Sequence, residues 1–244
     1  MISDLLKVQA NQIPNLCKPR DVVRHFRATE TGKTETKMKV EKEQIVKLKK
    51  IDGNGFFKKN PFKLFGSEKH KYEFNNCLNE QEILKFEQTN EIEFPTEYRN
   101  YIKNIGNGGV GPAYGLYKLE NWNLELDIEI ENFLKTDFPH KEKWNLTCDG
   151  NEEDENYTES EEFQNWELEY YSTKHISGSI RICHYGCAIY CILVVSGKEK
   201  GNIWFDDRAS ENGIYPLSTE IKERYNFTEW YNEWIIESLK KLNE

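Results

Sequence analysis

The chain has 244 residues, of which 37% are hydrophobic, 13% aromatic and 31% charged, a composition that excludes disorder and is typical of a soluble globular protein. No apolar run approaches the roughly 20 residues that a membrane-spanning helix needs, and residues 1–6 lack the basic start of a signal peptide. We therefore expect a cytoplasmic protein without a membrane partner, whose six cysteines are reduced thiols.

The charge is unevenly distributed along the chain, although the formal net charge is only −9. Residues 1–71 contain 17 basic and 8 acidic side chains, whereas residues 72–244 contain 16 basic and 34 acidic ones. An acidic body of this kind attracts a basic partner over long range and repels the phosphates of nucleic acid. A basic extension that folds back on the acidic body explains the same asymmetry equally well.

The predicted elements begin after a polar stretch, which we interpret as a basic N-terminal extension at residues 1–41 in front of one domain at residues 42–244. Apolar spacing among lysines predicts a first helix over Val40–Lys50, ended by Gly53. Asn79 followed three residues later by Glu82 is the capping-box pattern, and it predicts the start of a second helix.

A third helix is predicted through Tyr98 and Ile102, and Gly106 ends it. The glycine-rich Asn107–Gly111 follows a helix rather than a strand and has no Gly-Lys-Ser/Thr after it. It therefore predicts a turn, not a phosphate-binding loop. A strand is expected around Tyr114–Lys118.

Residues 152–169 carry nine acidic side chains and no basic one, interrupted by aromatic residues and a leucine. This pattern predicts an exposed loop or a short amphipathic helix. Strands then follow at about residues 179–184, 187–196 and 202–206. The near-continuous apolar run in the second of these is typical of a strand that is buried on both faces.

The chain closes with a helix capped by Asn226, with Glu229 three residues later. Helices, then strands, then a helix predict an α+β fold with a central, mainly antiparallel sheet flanked by N-terminal helices and a C-terminal helix.

Several sequence blocks, in the same order along the chain, resemble the SUKH superfamily, which includes a yeast cell-wall-synthesis regulator and many bacterial toxin-immunity proteins. The resemblance covers roughly residues 42–244. The blocks are FGSEKHKYEF at Phe65–Phe74, the stretch Leu78–Glu120, DFPHKEKWN at Asp137–Asn145, the hairpin region Ile176–Leu217 and FTEWYNEWI at Phe227–Ile235.

The resemblance implies an antiparallel sheet with flanking helices and no catalytic residues that transfer to this chain. It also implies a function, because bacterial members are associated with neutralising toxins, often nucleases, by direct binding. The alternative is an interaction scaffold in cell-wall or cell-envelope regulation, as in the eukaryotic branch.

A nuclease binds phosphates and so presents a basic cleft, which an acidic segment can occupy as a phosphate mimic. The acidic stretch is therefore the predicted partner-binding site, with its aromatic residues as anchors. A solvated loop without a partner is the alternative interpretation. The predicted partner-binding residues are Glu152, Glu153, Asp154, Glu155, Tyr157, Glu159, Glu161, Glu162 and Trp166.

The sequence predicts no metal site and no cofactor. Asp52 begins a calcium-like pattern, but Lys63 stands at the twelfth position, where a carboxylate is needed. Cys183, Cys187 and Cys191 do not have Cys-x-x-Cys spacing and are more consistent with buried thiols, the last two with the same strand parity.

A catalytic site is not predicted either. The residues His140, His175, His184, Asp206 and Asp207 include the types that hydrolases use, but no serine or cysteine stands beside them in an elbow motif. We interpret the two aspartates as part of a polar turn in which Arg208 pairs locally. Three tryptophans in polar segments, Trp122, Trp144 and Trp166, are candidates for an exposed contact surface, and the alternative for each is a buried position at the edge of the core.

Overall fold

The computed structural model describes residues 42–53, 62–148 and 155–243, and it confirms the α+β fold. The predicted extension at residues 1–41 lies outside the described residues. No helix of the described ranges is long and apolar enough to cross a membrane. The helices are α1 Lys42–Asp52, α2 Ser67–His70, α3 Glu80–Thr89, α4 Thr96–Asn104, α5 Glu155–Thr158, α6 Glu161–Tyr171 and α7 Phe227–Asn243. The strands are β1 Ser179–His184, β2 Tyr190–Val194, β3 Ile203–Asp207 and β4 Gly213–Pro216.

The four strands pair in chain order, and each is antiparallel to the next. Every residue of β2 is buried, as its apolar run predicts. The predicted hairpin between β2 and β3 is confirmed. The fourth strand was not predicted, because its four residues include a glycine and a proline, which are depleted in strands.

The second strand starts three residues later than predicted. Gly186, Cys187 and Ala188 have φ values of 92°, 48° and 55°, which are left-handed conformations and incompatible with a strand. The expected shared strand parity of Cys187 and Cys191 is therefore wrong, because Cys187 lies in the turn. Cys183 of β1 is instead the residue opposite Cys191.

Both edges of the sheet are paired with other parts of the chain. The predicted strand around residue 116 is reduced to Leu116, which bridges Gly109 on one side and Cys183 of β1 on the other. At the opposite edge, Trp144 and Ile214 of β4 exchange two N–H to carbonyl hydrogen bonds, each 2.8 Å long. Neither edge is left as an open row of unpaired backbone groups.

Both predicted capping boxes are confirmed. Asn79 Oδ1 accepts from the Glu82 amide at 3.0 Å, and Glu82 Oε2 accepts from the Asn79 amide at 2.7 Å. Asn226 and Glu229 make the same two bonds in front of α7, both 3.0 Å long. These reciprocal bonds satisfy amides that have no partner within the helix, which is why the sequence pattern locates the helix starts.

The glycine-rich turn is structural, as predicted. Gly108 and Gly109 have φ values of 77° and 98°, and a Cβ atom at either position would lie 2.4 Å from a backbone carbonyl oxygen. Asp52 is also structural: it is 1% exposed and accepts hydrogen bonds from the Lys63 amide at 2.6 Å and the Tyr72 hydroxyl at 2.6 Å. These bonds tie the end of α1 to the segment around α2.

The register defines two faces of the sheet, because residues directly opposite each other point the same way. The helix face includes Cys191 and Phe205, and Phe205 contacts Tyr185, which lies against Trp230 of α7. The other face, here called the loop face, includes Trp204 and Asp206. It is covered by residues 122–144 and by α6.

Candidate functional site

The acidic segment, defined here as residues 155–171, forms the two helices α5 and α6 and not an irregular loop. Of the predicted partner-binding residues, Glu152, Glu153 and Asp154 lie outside the described residues. Glu155 is the first residue of α5, and its side chain is not described. The glutamates with exposed side chains are Glu159, Glu161 and Glu162.

The start of α6 is set by its own sequence. Ser160 is the N-cap, and its Oγ accepts from the Phe163 amide at 3.1 Å. Glu161 and Glu162 follow in the first turn, where negative side chains interact favourably with the positive end of the helix dipole. The helix therefore presents two carboxylates at its first turn at no cost to its own stability.

A continuous series of aromatic contacts attaches the acidic segment to the domain. Tyr157 contacts Phe163 at a centroid distance of 5.6 Å, Phe163 contacts Trp166 at 5.5 Å, and Trp166 stacks on Tyr170 at 4.9 Å. Tyr170 then stacks on Trp144 at 5.7 Å. Tyr170 is fully buried, so this series of contacts runs from the surface into the loop face.

The anchors expected for a partner thus make contacts within the chain. The indole N–H of Trp166 donates to the Leu146 carbonyl at 3.2 Å, and the Tyr157 hydroxyl lies 3.0 Å from Cys148 Sγ. Both aromatic side chains are partly buried. Trp144 and Trp122 are likewise packed against the core rather than fully exposed.

The apolar side chain that α6 does present to solvent is Leu168, which is 66% exposed. Sequence reasoning did not select it, because tryptophan and tyrosine are the usual anchors of interfaces. The helical spacing carries the signal: Phe163, Trp166 and Tyr170 share one side of the helix, and Leu168 does not. The exposed residues of α6 are therefore two glutamates, two neutral amides and one leucine: Glu161, Glu162, Gln164, Asn165 and Leu168.

The C-terminal end of α6 is held by a buried ionic contact. Arg208 donates to both carboxylate oxygens of Asp206, at 2.6 and 2.8 Å, and to the carbonyls of Tyr170 and Ser172, at 2.8 and 3.0 Å. The predicted local pairing of Arg208 is confirmed, but the prediction that the two aspartates form a polar turn is wrong, because Asp206 and Asp207 are buried residues at the end of β3. Burial alone would raise the pKa of Asp206, but the attraction of Arg208 outweighs it and holds this pKa below its usual value.

Two of the histidines lie together on the loop face. Trp144 stacks on His175 at a centroid distance of 3.9 Å and on His140 at 5.4 Å. Burial, with a smaller repulsion from His175, lowers the pKa of His140 to about 4, and burial likewise lowers the pKa of His175. His175 Nε2 also contacts Glu169 at 3.1 Å. Both imidazoles are therefore neutral rings at pH 7.

Two other members of the hydrolase-like set, His184 and Asp207, make their contacts elsewhere, and Asp206 is bound to Arg208. His184 stacks on Tyr190 at 4.9 Å, at the end of β1. Asp207 accepts hydrogen bonds from Asn212 at 2.9 Å and from Tyr215 at 3.1 Å. Within the ranges that the structure describes, no three His, Cys, Asp or Glu side chains are grouped so that they could hold a metal ion.

An open groove of about 710 Å³ lies between α3 and the turn that joins β2 to β3. Its lining includes Leu84, which is 41% exposed, together with four acidic side chains and two lysines. Two of the four acids form ion pairs, Glu91 with Lys135 and Glu87 with Arg99, so the lining shows no concentrated charge of one sign. Sequence reasoning did not identify it, because its walls come from distant parts of the chain.

Compared with protein-family models, curated proteins and solved structures, the chain matches none.

Proposed function

We propose that this chain is a non-catalytic protein-binding domain that neutralises a basic, nuclease-type bacterial toxin by direct contact. The SUKH-like sequence blocks support the proposal, since bacterial members of that superfamily are associated with this role. The proposed contact surface is the exposed side of the acidic segment, with Glu159, Glu161, Glu162 and Leu168.

The observation that carries the proposal is the uncompensated charge of this surface. The acidic segment contains six glutamates and no lysine or arginine. Among the glutamates whose side chains are described there, Glu169 alone forms an ion pair, with Lys174. Carboxylates without cationic neighbours raise the encounter rate with a positively charged cleft and complement it after docking.

Rigidity of the segment favours binding as well. The aromatic contacts and the bonds of Arg208 hold α6 on the domain before any partner arrives. A surface that is already ordered loses less conformational entropy on association than a mobile acidic loop does. The aromatic residues therefore support binding through positioning, in place of the direct contacts that the sequence predicted.

Leu168 is the proposed apolar centre of the contact. Binding energy in interfaces is concentrated in a few side chains that become fully desolvated, and charged rims contribute less. Leu168 is two-thirds exposed, and Glu161 lies two turns earlier on the same side of α6, so the leucine fits an apolar pocket with a cation beside it.

The test is co-expression with the toxin domain encoded beside this gene, followed by purification of the complex. Protection of the cells and a stable complex are expected. Leu168→Ala should weaken the affinity by about 10- to 100-fold, the loss expected when one leucine is no longer buried, and leave the stability within about 0.5 kcal/mol. Isothermal titration calorimetry and urea unfolding measure the two effects.

Ile221→Ala is the matched control, because Ile221 is also 66% exposed but lies outside the acidic segment. Its affinity should equal that of the unchanged chain. Continued killing with no complex would refute the proposal. Recovery of cell-envelope signalling proteins in place of a toxin would favour the scaffold alternative.

A further inference from the structure

A second surface, around α2, has the opposite charge. This basic aromatic surface consists of Lys63, Phe65, Lys69, Lys71 and Tyr114. The three lysines are exposed, and none of them forms an ion pair with another residue that the structure describes. Phe65 is 55% exposed, and its ring lies 5.1 Å from that of Tyr114.

The backbone under the two rings is strained. Gly186, Cys187 and Ala188 are three consecutive left-handed residues, and two of them carry a Cβ atom. Each left-handed residue with a Cβ atom lowers the stability of the folded state by about 1–2 kcal/mol. A Cβ at Gly186 would lie 3.5 Å from the Tyr114 ring and 3.9 Å from the Phe65 ring, so the turn lies directly against the pair.

The sequence neighbours of Phe65 and Tyr114 also have left-handed backbone conformations. Ala113, next to Tyr114, has a φ of 49°, and Gly66, next to Phe65, has a φ of 77°. A Cβ at Gly66 would lie 2.2 Å from the Ala113 carbonyl oxygen, so no other residue fits there. Strain of this kind persists where the surrounding structure enforces it, and it is concentrated at binding sites.

The net positive charge around the basic aromatic surface indicates that its partner is negatively charged. Residues 42–53 and 62–71 contain seven lysines and three acidic residues, one of which is the buried Asp52. The acidic segment has six glutamates and no basic residue. Each of the two surfaces also has one strongly exposed apolar side chain, Phe65 on the basic surface and Leu168 on the acidic one.

We propose that the basic aromatic surface binds the acidic segment of a second copy of this chain. Lys63, Lys69 and Lys71 meet the glutamates, and Leu168 of the second copy covers the exposed ring of Phe65. The complementary charges and the two apolar side chains define the contact. Single-stranded nucleic acid, the other anionic ligand that stacks on exposed rings, is disfavoured by the net charge of −9.

Because two different surfaces meet, this contact is head-to-tail and can add further copies. The inference goes beyond the toxin proposal and does not depend on it. The acidic segment is used in both, so a copy whose acidic segment is covered by another copy is closed to a basic partner.

Sedimentation velocity of the full chain at low and at high salt tests the contact. At low salt the average sedimentation coefficient should rise with protein concentration, and at high salt the rise should disappear, because exposed charges are screened. The double variants Lys69→Gln/Lys71→Gln and Glu161→Gln/Glu162→Gln should each lose the rise. Lys198→Gln/Lys200→Gln, a lysine pair of the same spacing in the β2–β3 turn, is the control and should keep it.

The decisive sample is an equal mixture of the two double variants. Each retains one intact surface, so the mixture should form a one-to-one dimer and nothing larger. No concentration dependence in the unchanged chain, no dimer in the mixture, or a dimer of either variant alone would overturn the proposal. Binding of an oligothymidylate in place of self-association would also overturn it.

Failure here is distinguishable from failure of the toxin proposal. Lys69→Gln/Lys71→Gln leaves the acidic segment intact and no longer covered by a second copy, so this variant should neutralise the toxin at least as well as the unchanged chain.

Discussion

The two faces of the sheet are buried to a similar extent but are covered by different chemistry. On the helix face the covering layer is built from ring contacts, such as Tyr101 with Phe227 at 4.9 Å and with Tyr231 at 5.4 Å. The loop face also buries Trp204, but beside it lie Asp206 and Arg208, each 4% exposed. Stability on the helix face depends on apolar burial, whereas on the loop face it depends also on charge pairing and on neutral histidines.

The largest expected effect tests whether the two faces are equally well packed. Trp204 on the loop face and Trp230 on α7 are both 0% exposed. Trp204→Ala and Trp230→Ala should each lower the free energy of unfolding by about 3–5 kcal/mol, because each leaves a large cavity. Urea unfolding followed by circular dichroism measures both losses.

Leu168→Ala is the control for that pair, since its side chain is largely solvated and should change stability by less than about 0.5 kcal/mol. A Trp204→Ala protein as stable as the control would show that the loop face is loosely covered and that the comparison is wrong.

A somewhat smaller effect isolates the ionic part of the loop face. Asp206→Asn keeps the shape of the side chain but leaves Arg208 buried without a carboxylate, which should cost about 3 kcal/mol. Asp127→Asn, an exposed aspartate, is the matched control and should change stability by less than about 0.5 kcal/mol. Equal unfolding curves for the two variants would mean that the buried pair contributes nothing.

The smallest effect is the pH dependence of the loop face. The pKa of His140 is about 4 in the folded protein and about 6.5 when unfolded. A group with a lowered folded pKa contributes its full stability above the unfolded pKa and loses it as the pH falls toward the folded one. The full shift corresponds to about 3 kcal/mol between pH 6.5 and pH 4, and because His140 is only half-buried, solvent screening should reduce the loss of stability to about 1–2 kcal/mol.

His140→Phe keeps a ring in the stack with Trp144 and removes the titration. Thermal unfolding measured across that pH range should give a flatter curve for this variant than for the unchanged chain. Parallel curves would show that His140 does not contribute to acid sensitivity.

The parts of the fold that were predicted correctly depend on residues that are close together in the sequence. The caps at Asn79 and Asn226 need residues three positions apart, and the apolar run of β2 needs no partner to be recognised. By contrast, β4 consists of four residues and is defined by its pairing with β3 and with Trp144, which are distant from its own local pattern, so its sequence gives little signal. The start of β2 was misjudged because the apolar residues Cys187 and Ala188 occupy left-handed turn positions, which favour glycine or asparagine.

The candidate site was predictable in charge but not in orientation. The glutamates of α6 were identified from composition alone. Which residues of α6 face the solvent depends on Trp144 and Asn145, which are distant in sequence and receive the rings of α6. For that reason the sequence alone did not show that Trp166 packs within the chain or that Leu168 is exposed.

The paired edges of the sheet limit how any partner can recognise this protein. An open strand would accept almost any extended peptide through backbone hydrogen bonds, with little discrimination. Here Leu116 and Trp144 already occupy those positions, so a partner of the proposed kind would have to be recognised through side chains. Exchanging a few surface residues would then change its selectivity while the scaffold stays the same.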